Sequence, residues 1–136
     1  MSRPKSPFTR AQLLPQEETL EISKNKGELF IGIPKETYFQ EKRICLTPDA
    51  VNAIINNGHR VLIENGAGLE AGFSDSEYSE AGAEMTSDRK KVFGCPMVLK
   101  VEPPTLEELE MIKSKTVLIS ALQLKTRQKS YVPALA

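Results

Sequence analysis

Short apolar segments alternate with capped helical segments along most of this chain, and this alternation constrains its fold more than any other feature. Apolar runs typical of buried strands are LFIGI (29–33), RVLIE (60–64), MVLKV (97–101) and TVLIS (116–120). Strands that are apolar throughout are typical of a parallel sheet with both faces covered. The sequence therefore predicts an α/β domain with a doubly wound, mostly parallel sheet and helices on both faces, of the Rossmann or flavodoxin type. LFIGI, MVLKV and TVLIS are expected to be central strands.

Local signals for helix starts separate these strands. A threonine N-cap followed by proline and aspartate favours a helix, because proline suits the first helical position and the acid lies at the positive end of the helix dipole. Two capping boxes give the same signal further along. These signals are TPD at 47–49, Ser74 with Glu77, and Thr105 with Glu108. A weaker helix is expected over 88–93.

Polar side chains follow the predicted strands at the edge where ligands bind in parallel sheets. Arg43, Glu102 and Gln123 all fall at carboxyl ends of strands. Arg43 has two interpretations on residues alone. It could hold an anion in the crevice, or it could form a salt bridge with Glu36 or Glu41.

The composition excludes several classes of protein. A chain of 136 residues with 40% hydrophobic content suits one domain with a buried core. Eighteen basic residues balance eighteen acidic ones, so neither nucleic acid nor an anionic membrane is an expected partner. Cys45 and Cys95 with one histidine indicate neither a metal site nor a disulfide framework, and both are expected to be buried thiols. Without an apolar span or signal-peptide core, the expected compartment is the cytoplasm.

One glycine-rich segment imitates a nucleotide-binding motif. GAGLEA (66–71) directly follows RVLIE and fits the pattern G-x-G-x-x-A, with Asp88 about 20 residues further on. That motif requires a helix to begin inside the glycine loop, whereas the helix-start signal here comes later, at Ser74. A tight loop in which glycine adopts positive φ is therefore the favoured interpretation.

Four segments together resemble the N-terminal domain of the alanine dehydrogenase and pyridine nucleotide transhydrogenase family. They are IGIPKETYFQEKRICLTPDAV, NNGHRVLIENGAG, FSDSEYSEAGAEM and VLKVEPPTLEELEMIK. The resemblance, which runs from about residue 29 to 124, implies a substrate domain over 29–136 after an N-terminal extension over 1–28. It also implies that NAD is bound by a separate Rossmann domain absent from this chain, which would then be a fragment. The extension itself is expected to contain a short helix that packs on the domain.

The resemblance also implies roles for individual residues. Arg43 occupies the E-x-R turn that binds the substrate carboxylate in alanine dehydrogenases. The family pattern K-V-K-x-P places a second lysine where Glu102 stands, unless a one-residue gap leaves Lys100 to bind the substrate. Gln123 stands where the family has a catalytic histidine, so Glu102 and Gln123 are the candidate catalytic residues. His59, the only histidine, is expected to be structural.

The implied reaction is reversible oxidative deamination of L-alanine to pyruvate and ammonium, with hydride passed to NAD by a homo-oligomeric enzyme. Two alternatives stay open: the transhydrogenase branch, which also lacks that lysine and histidine, and a non-catalytic fragment. FQEKRICLTPDAV and LISALQLKT favour the dehydrogenase. Because glutamine carries no proton at neutral pH, acid–base chemistry would come from Glu102, a water or the missing domain.

Overall fold

Residues 27–121, the part of the chain that the computed structural model describes, form a parallel α/β domain. The elements in chain order are β1 (Phe30–Ile33), α1 (Pro48–Asn56), β2 (Arg60–Glu64), α2 (Asp75–Glu80), β3 (Glu84–Thr86), α3 (Arg89–Phe93), β4 (Met97–Leu99), α4 (Leu106–Met111) and β5 (Val117–Ile119). A single turn of 3-10 helix, Leu69–Ala71, precedes α2. Every strand pair is parallel, and the spatial order is β3-β2-β1-β4-β5. The predicted fold class is confirmed.

The predicted helix caps are formed in this structure. The Thr47 hydroxyl accepts a hydrogen bond of 3.2 Å from a backbone amide in the first turn of α1. Ser74 and Glu77 make both bonds of a capping box, at 3.2 and 2.7 Å, and so do Thr105 and Glu108, at 3.1 and 2.9 Å. The weaker predicted helix is α3. These caps satisfy amides that have no partner inside their helices, so helix boundaries follow from local chemistry.

Helices cover both faces of the sheet, as predicted. One face packs against α1 and α2, whereas the other packs against α3, which lies beside α4. Side chains buried on the first face include Ile33, Val51, Ile63 and Tyr78, and those on the second are Leu62, Val92 and Cys95. Because β1 and β2 contribute side chains to both cores, apolar residues follow one another along both strands.

Gly32 allows α3 to approach the middle of the sheet. A Cβ atom added there would lie 2.3 Å from the carbonyl oxygen of Val92 and 3.1 Å from Sγ of Cys95. No side chain fits in that gap. The glycine in the FIGI strand therefore sets the distance between β1 and α3.

The prediction that TVLIS is a central strand is wrong. In the described sheet β5 is an edge strand, and 51% of Val117 and 53% of Ile119 are exposed. An apolar run indicates a strand but not its place in the sheet, which depends on strand order. The central strand is β1, which pairs with β2 and β4.

Several predictions fall wholly or largely outside residues 27–121. The N-terminal extension over 1–28, its helix and Gln123 belong to this group, and they stay predictions. Within the described part of the chain, no helix is both long and apolar enough to cross a membrane. Cys95 is buried and Cys45 is partly buried, and both are free thiols.

Candidate functional site

The strand order reverses between β1 and β4. We call the space between the loops that follow these two strands the crevice. The chain leaves β1 for β2 on one side and leaves β4 for β5 on the other. In open parallel sheets, ligands bind at such a reversal. Two loops line the crevice here: 34–47 after β1 and 100–105 after β4.

Glu36 ties these two loops together. One oxygen of its carboxylate, Oε1, accepts hydrogen bonds from the backbone amides of Val101 at 2.5 Å and Glu102 at 3.1 Å. The other oxygen, Oε2, accepts a bond of 2.5 Å from Nζ of Lys100. The carboxylate thus accepts hydrogen bonds from three donors that follow β4. Two of these bonds fix the backbone at Val101 and Glu102.

Lys100 is buried beneath the crevice. Its side chain has no exposed surface, and its ammonium group lies 2.5 Å from Glu36 and 3.9 Å from Glu108. Nζ also lies 5.8 Å from the centre of the Tyr38 ring. A direct contact between Lys100 and a substrate would require the ammonium group to leave Glu36.

Arg43 lies at the mouth of the crevice with 72% of its side chain exposed. Its Nε and Nη2 donate to the two carboxylate oxygens of Glu41, at 2.9 and 2.8 Å. Nη2 also lies 3.9 Å from Oε1 of Glu102. The salt bridge with Glu41, the structural interpretation of Arg43, is therefore present, and the guanidinium also faces the crevice.

The two carboxylates beside Arg43 differ in their affinity for protons. Hydrogen bonds from the side chain and backbone of Arg43 lower the pKa of Glu41 to about 2. A hydrogen bond to the Glu41 side chain, followed by burial, raises the pKa of Glu102. Glu41 therefore stays ionised, whereas Glu102 is the carboxylate that takes up a proton first as the pH falls.

A second ion-pair network supports the crevice from the α3 side. Nη1 of Arg89 lies 2.9 Å from Glu64, and its Nη2 pairs with Glu108. Glu64 also accepts a hydrogen bond of 2.7 Å from the backbone amide of Lys35, at the start of the loop after β1. Sequence reasoning missed Glu64, Arg89 and Glu108. One feature of the sequence could have identified Glu64 as a site residue, because it is an acid at the carboxyl end of an apolar strand.

The glycine loop after β2 is a structural turn. Gly66 has a φ of +80°, and its backbone amide donates to the Asp75 side chain at 2.8 Å. A Cβ at Gly68 would lie 2.5 Å from the Tyr78 ring. The next α-helix begins at Asp75, beyond the glycines, as predicted. The loop amide and the helix start are thus not arranged for a pyrophosphate.

The structure brings three of the four candidate residues to one crevice. Arg43 and Glu102 face each other at its mouth, and Lys100 lies below them. Gln123 lies outside the described residues. His59 accepts a hydrogen bond of 3.1 Å from the backbone of Leu29, far from the crevice, which fits a structural role. What these residues do toward a substrate stays a prediction.

The sequence is similar to that of known enzymes over most of its length. Residues 32–136 match the family model described as the N-terminal domain of alanine dehydrogenase and PNT. The alanine dehydrogenase of Bacillus subtilis (strain 168) is 46% identical over 96 residues, which are 71% of this chain and 25% of that enzyme. An alanine dehydrogenase of Staphylococcus epidermidis is 40% identical over 99 residues, 73% of this chain and 27% of that enzyme. The chain thus spans about a quarter of the length of these relatives.

Two solved structures have a domain with a similar fold. An L-alanine dehydrogenase matches with a TM-score of 0.75 and 34% identity, over 79% of this chain and 29% of that one. The transhydrogenase from Sinorhizobium meliloti matches with a TM-score of 0.70 and 26% identity, over 78% of this chain and 31% of that one. Both types of enzyme therefore contain a domain folded like this one.

Proposed function

Because the chain belongs to the alanine dehydrogenase and pyridine nucleotide transhydrogenase N-terminal domain family, we propose that it forms the substrate-binding part of an NAD-dependent alanine dehydrogenase. The reaction is L-alanine, NAD⁺ and water to pyruvate, ammonium, NADH and a proton. The observation that carries this proposal is the pair Arg43 and Glu102, 3.9 Å apart where the strand order reverses. The complete protein is proposed to be a cytoplasmic homo-oligomer.

Arg43 is proposed to bind the substrate carboxylate. Two of its nitrogens bond Glu41, which orients the guanidinium, whereas no described residue bonds its Nη1. The guanidinium can still bind a carboxylate end-on through two parallel hydrogen bonds, one from Nη1 and one from the second hydrogen of Nη2, which fixes orientation as well as charge. Because Arg43 is exposed, a small acid can reach it without any opening of the domain.

The charge around the crevice suits a substrate that also carries an ammonium group. Arg43 and Glu102 lie 3.9 Å apart, and part of each side chain is exposed. An amino acid brings a carboxylate for Arg43 and an ammonium group for Glu102. This pairing supports a dehydrogenase, since hydride exchange between two nicotinamide cofactors needs no amino-acid site.

Glu102 is proposed to face the reacting centre. Its pKa is raised, so it keeps a proton to higher pH than an ordinary carboxylate does. Gln123 is proposed to donate a hydrogen bond to the carbonyl or carbinolamine oxygen. A contact between Lys100 and the substrate stays a prediction. In this conformation Lys100 supports the site through Glu36.

The described residues do not fit an NAD site. The amide of Gly66 is bonded to Asp75, and α2 begins beyond the glycines. We therefore propose that NAD is bound by another domain of the complete protein.

Replacing Arg43 with lysine should raise the KM for pyruvate about tenfold or more in the complete protein. Lysine keeps the charge but loses the planar pair of donors that matches a carboxylate. The measurement is KM at saturating NADH and ammonium. Arg60→Lys, which also alters an ion-paired arginine but lies outside the crevice, is the matched control and should leave KM unchanged. Equal values for the parent and Arg43→Lys would reduce Arg43 to the structural partner of Glu41.

Lowering the pH from neutral should lower the KM for pyruvate. Above its pKa, ionised Glu102 repels an anion bound to Arg43, and protonation removes that repulsion, whereas Glu41 stays ionised throughout. Glu102→Gln should bind pyruvate about fivefold more tightly at neutral pH and should lose this part of the pH dependence. Comparing the variant with the parent at each pH cancels the titration of ammonium. A parallel pH profile in both proteins would argue against Glu102.

The transhydrogenase branch is the second candidate function, because Glu102 stands where the dehydrogenase pattern has lysine and a transhydrogenase shares this fold. The complete protein can be given L-alanine with NAD, and separately NADH with an oxidised nicotinamide analogue. Alanine-dependent reduction of NAD supports the dehydrogenase. Hydride exchange without any reaction of alanine would favour the transhydrogenase.

A further inference from the structure

A second concave surface lies at the amino ends of the strands, whereas the candidate site lies at their carboxyl ends. Phe30, Arg60 and Glu84 are the first residues of β1, β2 and β3, and they line a groove of about 590 Å³ on the face that carries α3. We call it the amino-end groove. Its floor includes Phe30 and Leu62, and its rim includes Lys90, Lys91 and Lys113.

The amino-end groove combines an apolar floor with unbalanced positive charge. Arg60 is bonded to both oxygens of Glu84, at 2.9 and 2.8 Å, and lies 4.0 Å from the centre of the Phe30 ring. Its charge is therefore balanced. Lys90, Lys91 and Lys113, in contrast, form no ion pair with any residue between 27 and 121. An occupant of this groove should be both acidic and apolar.

We propose that segment 13–22 of this chain, LLPQEETLEI, occupies the amino-end groove. The segment carries three glutamates, Glu17, Glu18 and Glu21, and no basic residue. Its apolar side chains are Leu13, Leu14, Leu20 and Ile22. Three negative charges thus meet the three unpaired lysines, and the leucine and isoleucine side chains meet the apolar floor.

The chain enters the described domain beside this groove. Oε1 of Glu28 lies 3.8 Å from Nη1 of Arg60, and the backbone amide of Arg60 donates to the carbonyl of Leu29 at 2.8 Å. Four residues, 23–26, separate the segment from Gly27. An extended chain covers up to about 3.5 Å per residue, so this linker spans roughly 14 Å. That length is enough to return Ile22 to the groove wall.

The other end of the chain is a poorer occupant. Residues 122–136 continue from the carboxyl end of β5, at the far edge of the sheet. They carry Lys125, Arg127 and Lys129 and no acid, so they would repel the rim lysines. Both location and charge favour the N-terminal segment.

Amide hydrogen exchange of the full 136-residue chain, measured by NMR, tests the proposal. Amides within 13–22 should be protected in the parent. Lys90→Glu with Lys91→Glu should speed their exchange about tenfold or more, because it reverses the rim charge. Lys42→Glu with Lys115→Glu, which changes two exposed lysines outside the groove, is the matched control and should leave protection unchanged.

Exchanging the charges of the segment with those of the groove shows whether lost protection comes from a damaged domain or from a lost contact. Glu17→Lys with Glu18→Lys leaves residues 27–121 untouched and should also remove protection, and combining it with Lys90→Glu and Lys91→Glu should restore protection. Unprotected amides over 13–22 in the parent, or protection that survives either reversal, would overturn the proposal. Protection that disappears on dilution together with a dimer would assign the groove to a second copy instead. If added citrate shifts the NMR resonances of groove residues in the parent but leaves amide exchange over 13–22 unchanged, the groove is a site for a small anion instead.

Discussion

Replacing Lys100 with methionine should lower the free energy of unfolding by about 3–5 kcal/mol. The change removes the only cation within 2.5 Å of Glu36 among the described residues and leaves a carboxylate that is itself 7% exposed. Removing one partner of a buried pair costs this much because the other charge stays buried without its counter-ion. Urea unfolding of the 136-residue chain measures the loss.

Two further variants identify the origin of that loss. Lys115→Met removes an exposed lysine and should change stability by less than about 0.5 kcal/mol. Adding Glu36→Gln to Lys100→Met removes the stranded charge but keeps an oxygen for the amides of Val101 and Glu102. This double variant should recover much of the loss. A double variant less stable than Lys100→Met would mean that the buried charge is not the cause.

Replacing Gly32 with alanine should destabilise the fold by about 3 kcal/mol, although alanine is normally the better residue inside a strand. The added Cβ would lie 2.3 Å from the carbonyl oxygen of Val92, which is backbone and cannot rotate away. The helix α3 must therefore shift from the sheet, and its contacts with the core loosen. The midpoint of urea unfolding reports this change.

Gly72→Ala is the control for conformational strain alone. Gly72 has a φ of +90°, but a Cβ there meets nothing within 4 Å. Its replacement should cost only about 1–2 kcal/mol, the usual penalty for a left-handed non-glycine residue. If Gly32→Ala cost less than Gly72→Ala, the close approach of α3 to β1 would not be a tight constraint.

Much of the fold follows from local chemistry, and some of the site does too. Thr47 and Ser74 begin helices where their sequence neighbours indicate, because a cap needs only the next few residues. The proximity of Arg43 and Glu102 follows from parallel strands, whose carboxyl ends share one edge.

The unpredicted features depend on residues distant in sequence. Glu36 bonds partners 64 to 66 residues away, whereas its own neighbourhood indicates only a possible salt bridge with Arg43. Arg89 finds Glu64 and Glu108 only after the β3-to-β4 crossover has brought α3 to the second face. The exposure of Ile119 likewise depends on strand order, which an apolar run does not encode.

The central position of β1 affects the folding of the chain during its synthesis. The strand is the first of the described sheet to be synthesised, yet Ile31 pairs with Met97, 66 residues later. At about 5–20 residues per second, that edge of β1 waits roughly 3 to 13 s for its partner. An unpaired apolar strand edge is a template for pairing with other chains. The nascent chain is therefore most prone to aggregation between the synthesis of β1 and that of β4, and a chaperone bound in that interval would protect the strand on which the whole sheet depends.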